Sequence, residues 1–311
     1  MNLSVEIAGV KFKNPVIAAS GTFGFGAEYS EFYPLSSLGG ICTKGLTIAK
    51  KEGNPPPRAT ETYGGMLNAV GLQNPGIEHF LATDDKTLAN EDVVVIANVA
   101  GSTIEDYIAI GERINDANAQ MVELNISCPN VKEGGMAFGV LPESVERITA
   151  AVTKVCRKPV ITKLSPNVAC IADNARAAEA GGAAAVSLIN TLSGMAVNWK
   201  TRRPILANNN GGLSGPCVKP VALKMVWDCY NAVKIPIIGL GGIASWTDAL
   251  EFIICGARAV QVGTANFATP TAAYDIARGL EEYVRGNDID INDLVGTLIL
   301  NGCRAKKEFT L

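Results

Sequence analysis

The sequence predicts an α/β protein, a (β/α)8 TIM barrel, and three observations carry that prediction. Eight runs of strand length, rich in Val and Ile and without strict alternation, recur along the chain, the pattern of parallel strands buried on both faces. Stretches of helical period lie between most of them, as crossover connections require. The length of 311 residues suits eight such units closed on themselves rather than an open sheet.

Taken in order, LSVEIAGVKFKNP alternates and turns at Ala8-Gly9, which predicts an N-terminal hairpin closing the barrel floor. The strand runs are NPVIAAS (14–20), GGICTKG (39–45), VVVIANV (93–99), MVELNIS (121–127), PVITKLS (159–165), AAVSLIN (184–190), IPIIGLGG (235–242) and AVQVGTA (259–265). Helical period places helices over Thr103 to Ala117, Glu143 to Val155, Ile171 to Ala180, Val218 to Ala232 and Trp246 to Cys255. Two connections, Leu46 to Asp92 and Thr191 to Lys234, are far too long for strand-to-helix loops. They are expected as insertions at the C-terminal rim, where a barrel carries its substrate-specific parts. No second domain, internal repeat or low-complexity segment is evident, so residues 1–311 are expected to form one domain.

A hydrophobic content of 48% supports a large core, and a formal charge of -3 without blocks of like charge excludes a surface built to coat nucleic acid or an anionic membrane. A small-molecule substrate is expected instead. The opening MNLSVEIAGVKFKNPV has no signal-peptide pattern, and apolar runs such as Val93 to Ala97 are too short to span a bilayer, so a cytoplasmic location is expected. The eight cysteines (42, 128, 156, 170, 217, 229, 255 and 303) lack the close spacings of zinc or iron-sulfur sites. No metal is expected, and the cysteines other than Cys128 are expected to be reduced and mostly buried in the core.

In a barrel the strand ends converge on one rim. Here they are Ser20 with Gly21, Lys44, Asn98, Asn125 with Cys128, Lys163, Asn190 with Thr191, Gly241 with Gly242, and Gly263 with Thr264. Either lysine alone could simply reach solvent; two on different strands argue for an anion, or a developing negative charge, between them. IIGLGGIASWTDAL runs a strand into Gly-Gly and a Ser-capped helix, and VQVGTANFATP ends the next strand at Gly-Thr. GLGGI by itself is explained almost as well by a tight turn, but glycine-freed amides on the last two strands together match a barrel phosphate site.

A phosphate-tailed cofactor, rim amides suited to a flat heterocycle and a neighbouring lysine point to flavin mononucleotide (FMN), with Lys163 placed to stabilise charge gathering at N1 and O2. Loss of hydride to a flavin also needs a base for the neighbouring proton. The single histidine, His79, falls in a helical stretch of the first insertion and reads as a surface or packing residue. That leaves Cys128, followed by Pro129 and a glycine-bearing loop, as the base.

The motifs ASGTFGFG (19–26), CTKG (42–45), NAVGLQNPG (68–76), ELNISCPN (123–130), TKLSPN (162–167), INT (189–191), GGLSGP (211–216), GLGGI (239–243) and VGTA (262–265) resemble, essentially end to end, those of the class 1 dihydroorotate dehydrogenases, flavin enzymes of pyrimidine synthesis. The resemblance implies that Cys128 abstracts the C5 proton of dihydroorotate while the C6 hydride passes to flavin, giving orotate. It implies that Lys44, Asn68, Asn125, Asn190 and Thr191 hold the substrate, and that the segment Asn68, Ala69, Val70, Gly71, Leu72 closes over it. The flavin positions it implies are Ser20, Lys44, Gly45, Asn98, Asn125, Lys163, Ile189, Gly215, Gly241, Gly242, Gly263 and Thr264.

NAVGLQNPG and SCPNVKEGG look like the NAD-linked 1B form rather than the fumarate-linked homodimer. That likeness implies a homodimer of this chain joined by two electron-transfer subunits carrying FAD and a 2Fe-2S cluster. The membrane-bound, quinone-using class, with its serine base, resembles the chain less. Dihydropyrimidine dehydrogenase has less use for Lys44 beside a carboxylate, and tRNA dihydrouridine synthases should show a basic surface. A non-catalytic flavin-binding scaffold would bind the cofactor but leave it unreduced by any dihydropyrimidine.

Overall fold

The computed structural model describes residues 2–126 and 139–301. Eight strands close into a barrel: β1 Val16–Ala18, β2 Gly40–Cys42, β3 Val94–Val99, β4 Met121–Asn125, β5 Val160–Lys163, β6 Ala185–Leu188, β7 Ile237–Leu240 and β8 Ala259–Val262. Each lies within a predicted run and pairs in parallel with its sequence neighbour. Strand β8 returns to β1, with Val262 beside Ala18, so the barrel has no open edge. Every residue of β1, β2, β5, β6, β7 and β8 is buried. One face fills the barrel and the other meets the helices, which is why these strands lack alternation.

The barrel helices are α1 Ile104–Arg113, α2 Pro142–Val155, α3 Ile171–Ala180, α4 Lys219–Tyr230, α5 Trp246–Ile254 and α6 Ala272–Asn287. Val145, Ile148, Thr149 and Val152 form the inward stripe of α2, and Ala273, Ile276, Ala277, Leu280 and Val284 that of α6. Each fully buried Val, Ile or Leu in these stripes contributes about 1.5–3 kcal/mol. Helices α1 and α5 begin at capping boxes, Thr103 with Asp106 and Ser245 with Asp248. The second box sets the direction in which the chain leaves Gly241-Gly242.

The N-terminal hairpin pairs Val5–Ile7 with Val10–Phe12, and its turn residues Ala8 and Gly9 both have positive φ, 50° and 81°, as a tight two-residue hairpin requires. Phe12 is fully buried against Gly40 at the start of β2, so the hairpin covers the N-terminal end of the barrel.

At the opposite end the two insertions do more than extend loops. They share one antiparallel sheet, ordered Leu192–Gly194, Gly211–Ser214, Gly65–Asn68, Ala59–Thr62. Nothing in GGMLN or NGGLSG resembles a strand by side-chain preference. The glycines are there for close approach: a Cβ on Gly65 would sit 2.1 Å from the Ser214 carbonyl oxygen, and one on Gly211 2.5 Å from that of Asn68.

Cys42, Cys156, Cys229 and Cys255 are buried free thiols, as expected, but Cys170 and Cys217 are exposed. Cys170 stands at the start of α3, outside the barrel wall, and Cys217 in the rim turn preceding α4. His79 is exposed on the short helix Ile77–Ala82. Among the described residues no helix is long and apolar enough to cross a membrane. Replacing the cap, Ser245→Ala, should lower stability by about 1 kcal/mol in urea unfolding; an unchanged midpoint would show that the box adds nothing.

Candidate active site

A cavity of about 300 Å³ opens at the C-terminal ends of the strands, beneath the insertion sheet. Its wall takes Ser20 after β1, Lys44 and Gly45 after β2, Asn125 and Lys163 at the ends of β4 and β5, and Ile189, Asn190 and Thr191 after β6. Gly241 and Gly242 follow β7, and Gly263 and Thr264 follow β8. The first insertion adds Asn68, Val70, Gly71 and Leu72, and the second adds Gly215.

Two predicted residues lie off this wall. Asn98 is fully buried one layer deeper. Ala69 faces the insertion, where its N–H donates to the Arg58 carbonyl at 2.8 Å and its carbonyl accepts from Asn54 Nδ2 at 2.9 Å. Cys128 and its loop lie outside the described residues.

One side of the cavity is built from side-chain polarity. Lys44 is half-buried and has no carboxylate partner among the described residues. Burial first, and then the positive charge of Arg58, pulls its pKa below that of an ordinary lysine. Asn190 Nδ2 lies 3.5 Å from Asn125 Oδ1, and Tyr107 Oη donates to the Asn125 carbonyl at 2.8 Å. Asn167 anchors the start of the second insertion, donating to the Thr191 carbonyl at 3.0 Å and accepting from the Ser193 N–H at 2.8 Å. Gly71 and Leu72 both have positive φ, 77° and 55°. For leucine that conformation costs roughly 1–2 kcal/mol. The bend is held by the Asn54 N–H, which donates to the Val70 carbonyl at 2.9 Å.

The other side is built from backbone. Gly215, Gly241 and Gly242 have φ of 104°, 121° and 82°, and a Cβ on Gly242 would meet the Lys219 nitrogen at 2.8 Å and the Gly215 carbonyl oxygen at 2.9 Å. Only glycine fits there without strain. Behind this cradle Lys219 Nζ bonds Asp248 at 2.5 Å and Glu251 at 2.9 Å. Thr264 Oγ1 donates to Ser214 Oγ at 2.8 Å, joining the end of β8 to the insertion sheet.

Beneath the cavity stands a residue that sequence analysis passed over. Glu123, fully buried on β4, accepts on Oε1 from Asn98 Nδ2 at 2.7 Å, Lys163 Nζ at 3.0 Å and Cys42 Sγ at 3.2 Å. Its Oε2 accepts from Gln261 Nε2 at 2.6 Å and Ser187 Oγ at 2.8 Å. Burial pushes the Glu123 carboxyl up, but the Lys163 ammonium and donation from Gln261, Lys163 and Ser187 outweigh it and hold it below the usual carboxylate range. The signal was available: an acid inside the apolar strand MVELN and a lysine inside the next strand, PVITKLS. Lys163 itself is 5% exposed, so it does not reach solvent; it pairs inward and lines the cavity.

These residues suit a flavin mononucleotide. The glycine cradle leaves room for a phosphate, Lys163 offers a cation to an electron-accepting ring, and Asn98 Oδ1 and Gln261 Oε1 are buried acceptors without a hydrogen bond.

The fold and rim define a (β/α)8-barrel protein with a glycine-cradled cavity where barrel enzymes bind their substrates. This chain belongs to the dihydroorotate dehydrogenase family, whose model matches residues 2–284. A relative from Thermoanaerobacter pseudethanolicus, named dihydroorotate dehydrogenase B (NAD(+)), catalytic subunit, is 54% identical over 299 residues, 96% of this chain and 99% of its own. Proteins of the same name from Alkaliphilus oremlandii and Geotalea uraniireducens are 54% and 52% identical, each over 96% of this chain and over 99% and 98% of their own.

Gly242→Ala should weaken FMN uptake by the chain at least tenfold while leaving the far-ultraviolet circular dichroism unchanged. Normal uptake would show that the cradle tolerates a side chain.

Proposed function

We propose that this chain oxidises (S)-dihydroorotate to orotate for pyrimidine synthesis, as the catalytic half of an NAD-linked enzyme. The observation that carries the reading is a single cavity with two unlike sides: Lys44, Asn68, Asn125 and Asn190 on one, and the glycine cradle of Gly215, Gly241 and Gly242 on the other. The names of the relatives, which include NAD(+) and a catalytic subunit, support NAD as acceptor and a further subunit. Bound FMN would take up the hydride that leaves C6 of the substrate.

Binding and proton removal fall to the chain itself. Lys44 meets the substrate carboxylate with a charge that no protein carboxylate claims among the described residues. Asn68, Asn125, Asn190 and Thr191 hydrogen-bond the pyrimidine edges, and the insertion sheet with residues 68–72 keeps water from the ring. Cys128 removes the C5 proton; a free thiol has a pKa of about 8.5, so its basic form gains with rising pH. Electrons leave through a partner subunit with FAD and a 2Fe-2S cluster, in an assembly of two catalytic and two electron-transfer chains, in the cytoplasm.

Cys128→Ala should retain flavin yet slow its reduction by dihydroorotate by about 10²–10⁴-fold; near-normal reduction in stopped flow would remove the thiol from the mechanism. The Lys44 pKa lies below the ordinary value, and its charged form is the one needed, so kcat/KM for dihydroorotate should fall on the alkaline side at a lower pH than an ordinary lysine would give. Lys44→Arg, charged throughout, should abolish that limb, and its persistence would assign it elsewhere. The acceptor is tested by reducing the isolated chain anaerobically with dihydroorotate and adding fumarate. Flavin that stays reduced is expected, whereas rapid reoxidation would identify a self-sufficient fumarate enzyme.

A further inference from the structure

A carboxylate only accepts hydrogen bonds, so an amide that faces it must turn its nitrogen toward it. Asn98 Nδ2 and Gln261 Nε2 both do so at Glu123, at 2.7 and 2.6 Å. Neither amide is free to flip, and the opposite atoms, Asn98 Oδ1 and Gln261 Oε1, are left as buried acceptors with no partner. Burying an unpaired acceptor costs free energy until a donor completes it. The third contact is Lys163 Nζ at 3.0 Å, and Lys163 and Gln261 both reach the cavity wall.

We propose that Glu123 is a positioning residue for the cofactor: through Asn98, Lys163 and Gln261 it sets which atoms beneath the cavity accept, which donate, and how much positive charge lies there. The inference rests on the flavin reading above. An isoalloxazine ring offers an N–H donor and gathers negative charge on reduction, so fixed acceptors and a compensated ammonium bear on both its binding and its potential. With Glu123 ionised, the charge of Lys163 is offset, and its pull on the reduced ring is moderated.

The test compares the wild-type chain with Glu123→Gln, an isosteric change that removes the charge and adds a donor. FMN uptake by the apoprotein is followed by quenching of flavin fluorescence, and the two-electron midpoint potential by photoreduction against a reference dye. At least tenfold weaker binding is expected, with a positive shift of ~30 mV or more, the equivalent of tenfold for two electrons. Wild-type affinity and potential, with only a lower melting temperature, would leave Glu123 as a strut of the barrel and overturn the inference. Should Glu123→Gln not fold, Gln261→Met decides: it removes the fixed acceptor, so weaker FMN binding is expected, and unchanged binding overturns the inference. A wild-type chain that takes up no FMN sinks the flavin reading itself; wild-type uptake with indifferent variants sinks the inference alone.

Discussion

An ionised carboxylate inside a closed parallel barrel constrains everything around it. Unpaired, the Glu123 charge would cost on the order of several kcal/mol, a large share of a domain's net stability. It is tolerated because donors converge on it from other strands: Cys42 on β2, Asn98 on β3, Lys163 on β5, Ser187 on β6 and Gln261 on β8. The barrel must therefore close in one register for the charge to be satisfied. A one-residue slip would turn those donors to the outer face.

Directly above that layer the cavity divides its work between backbone and side chains. The cradle of Gly215, Gly241 and Gly242 is made of main chain, whose geometry is set by glycine φ angles and is indifferent to protonation. The opposite wall uses Lys44 and a row of asparagines, groups able to match a small polar ring. An anion with no preferred edge suits the first, and a heterocycle with a defined donor and acceptor pattern suits the second.

Legibility in the sequence followed locality. The barrel strands and the helix Ile171–Ala180 are marked by their own composition, and most rim residues are simply where those strands end. The acid inside MVELN is visible in the sequence, but the role of Glu123 is not, because its partners lie 25 to 138 residues away and no window of sequence contains them. Asn98 ends a predicted strand, and its Nδ2 is spent on Glu123 while its Oδ1 stays unpaired. The insertion sheet was missed for the opposite reason: its glycines erase strand preference while permitting backbone contacts that larger residues would block.

That sheet also has a bearing on the order of folding. Gly65–Asn68 emerges after β2 and Gly211–Ser214 after β6, so the pairing waits on most of the barrel. Such distant contacts form slowly, since loop closure precedes any reward. A chain emerging from the ribosome therefore has no roof over its cavity until β6 is in place, and a ligand held beneath that roof favours, by mass action, only chains that have finished assembling.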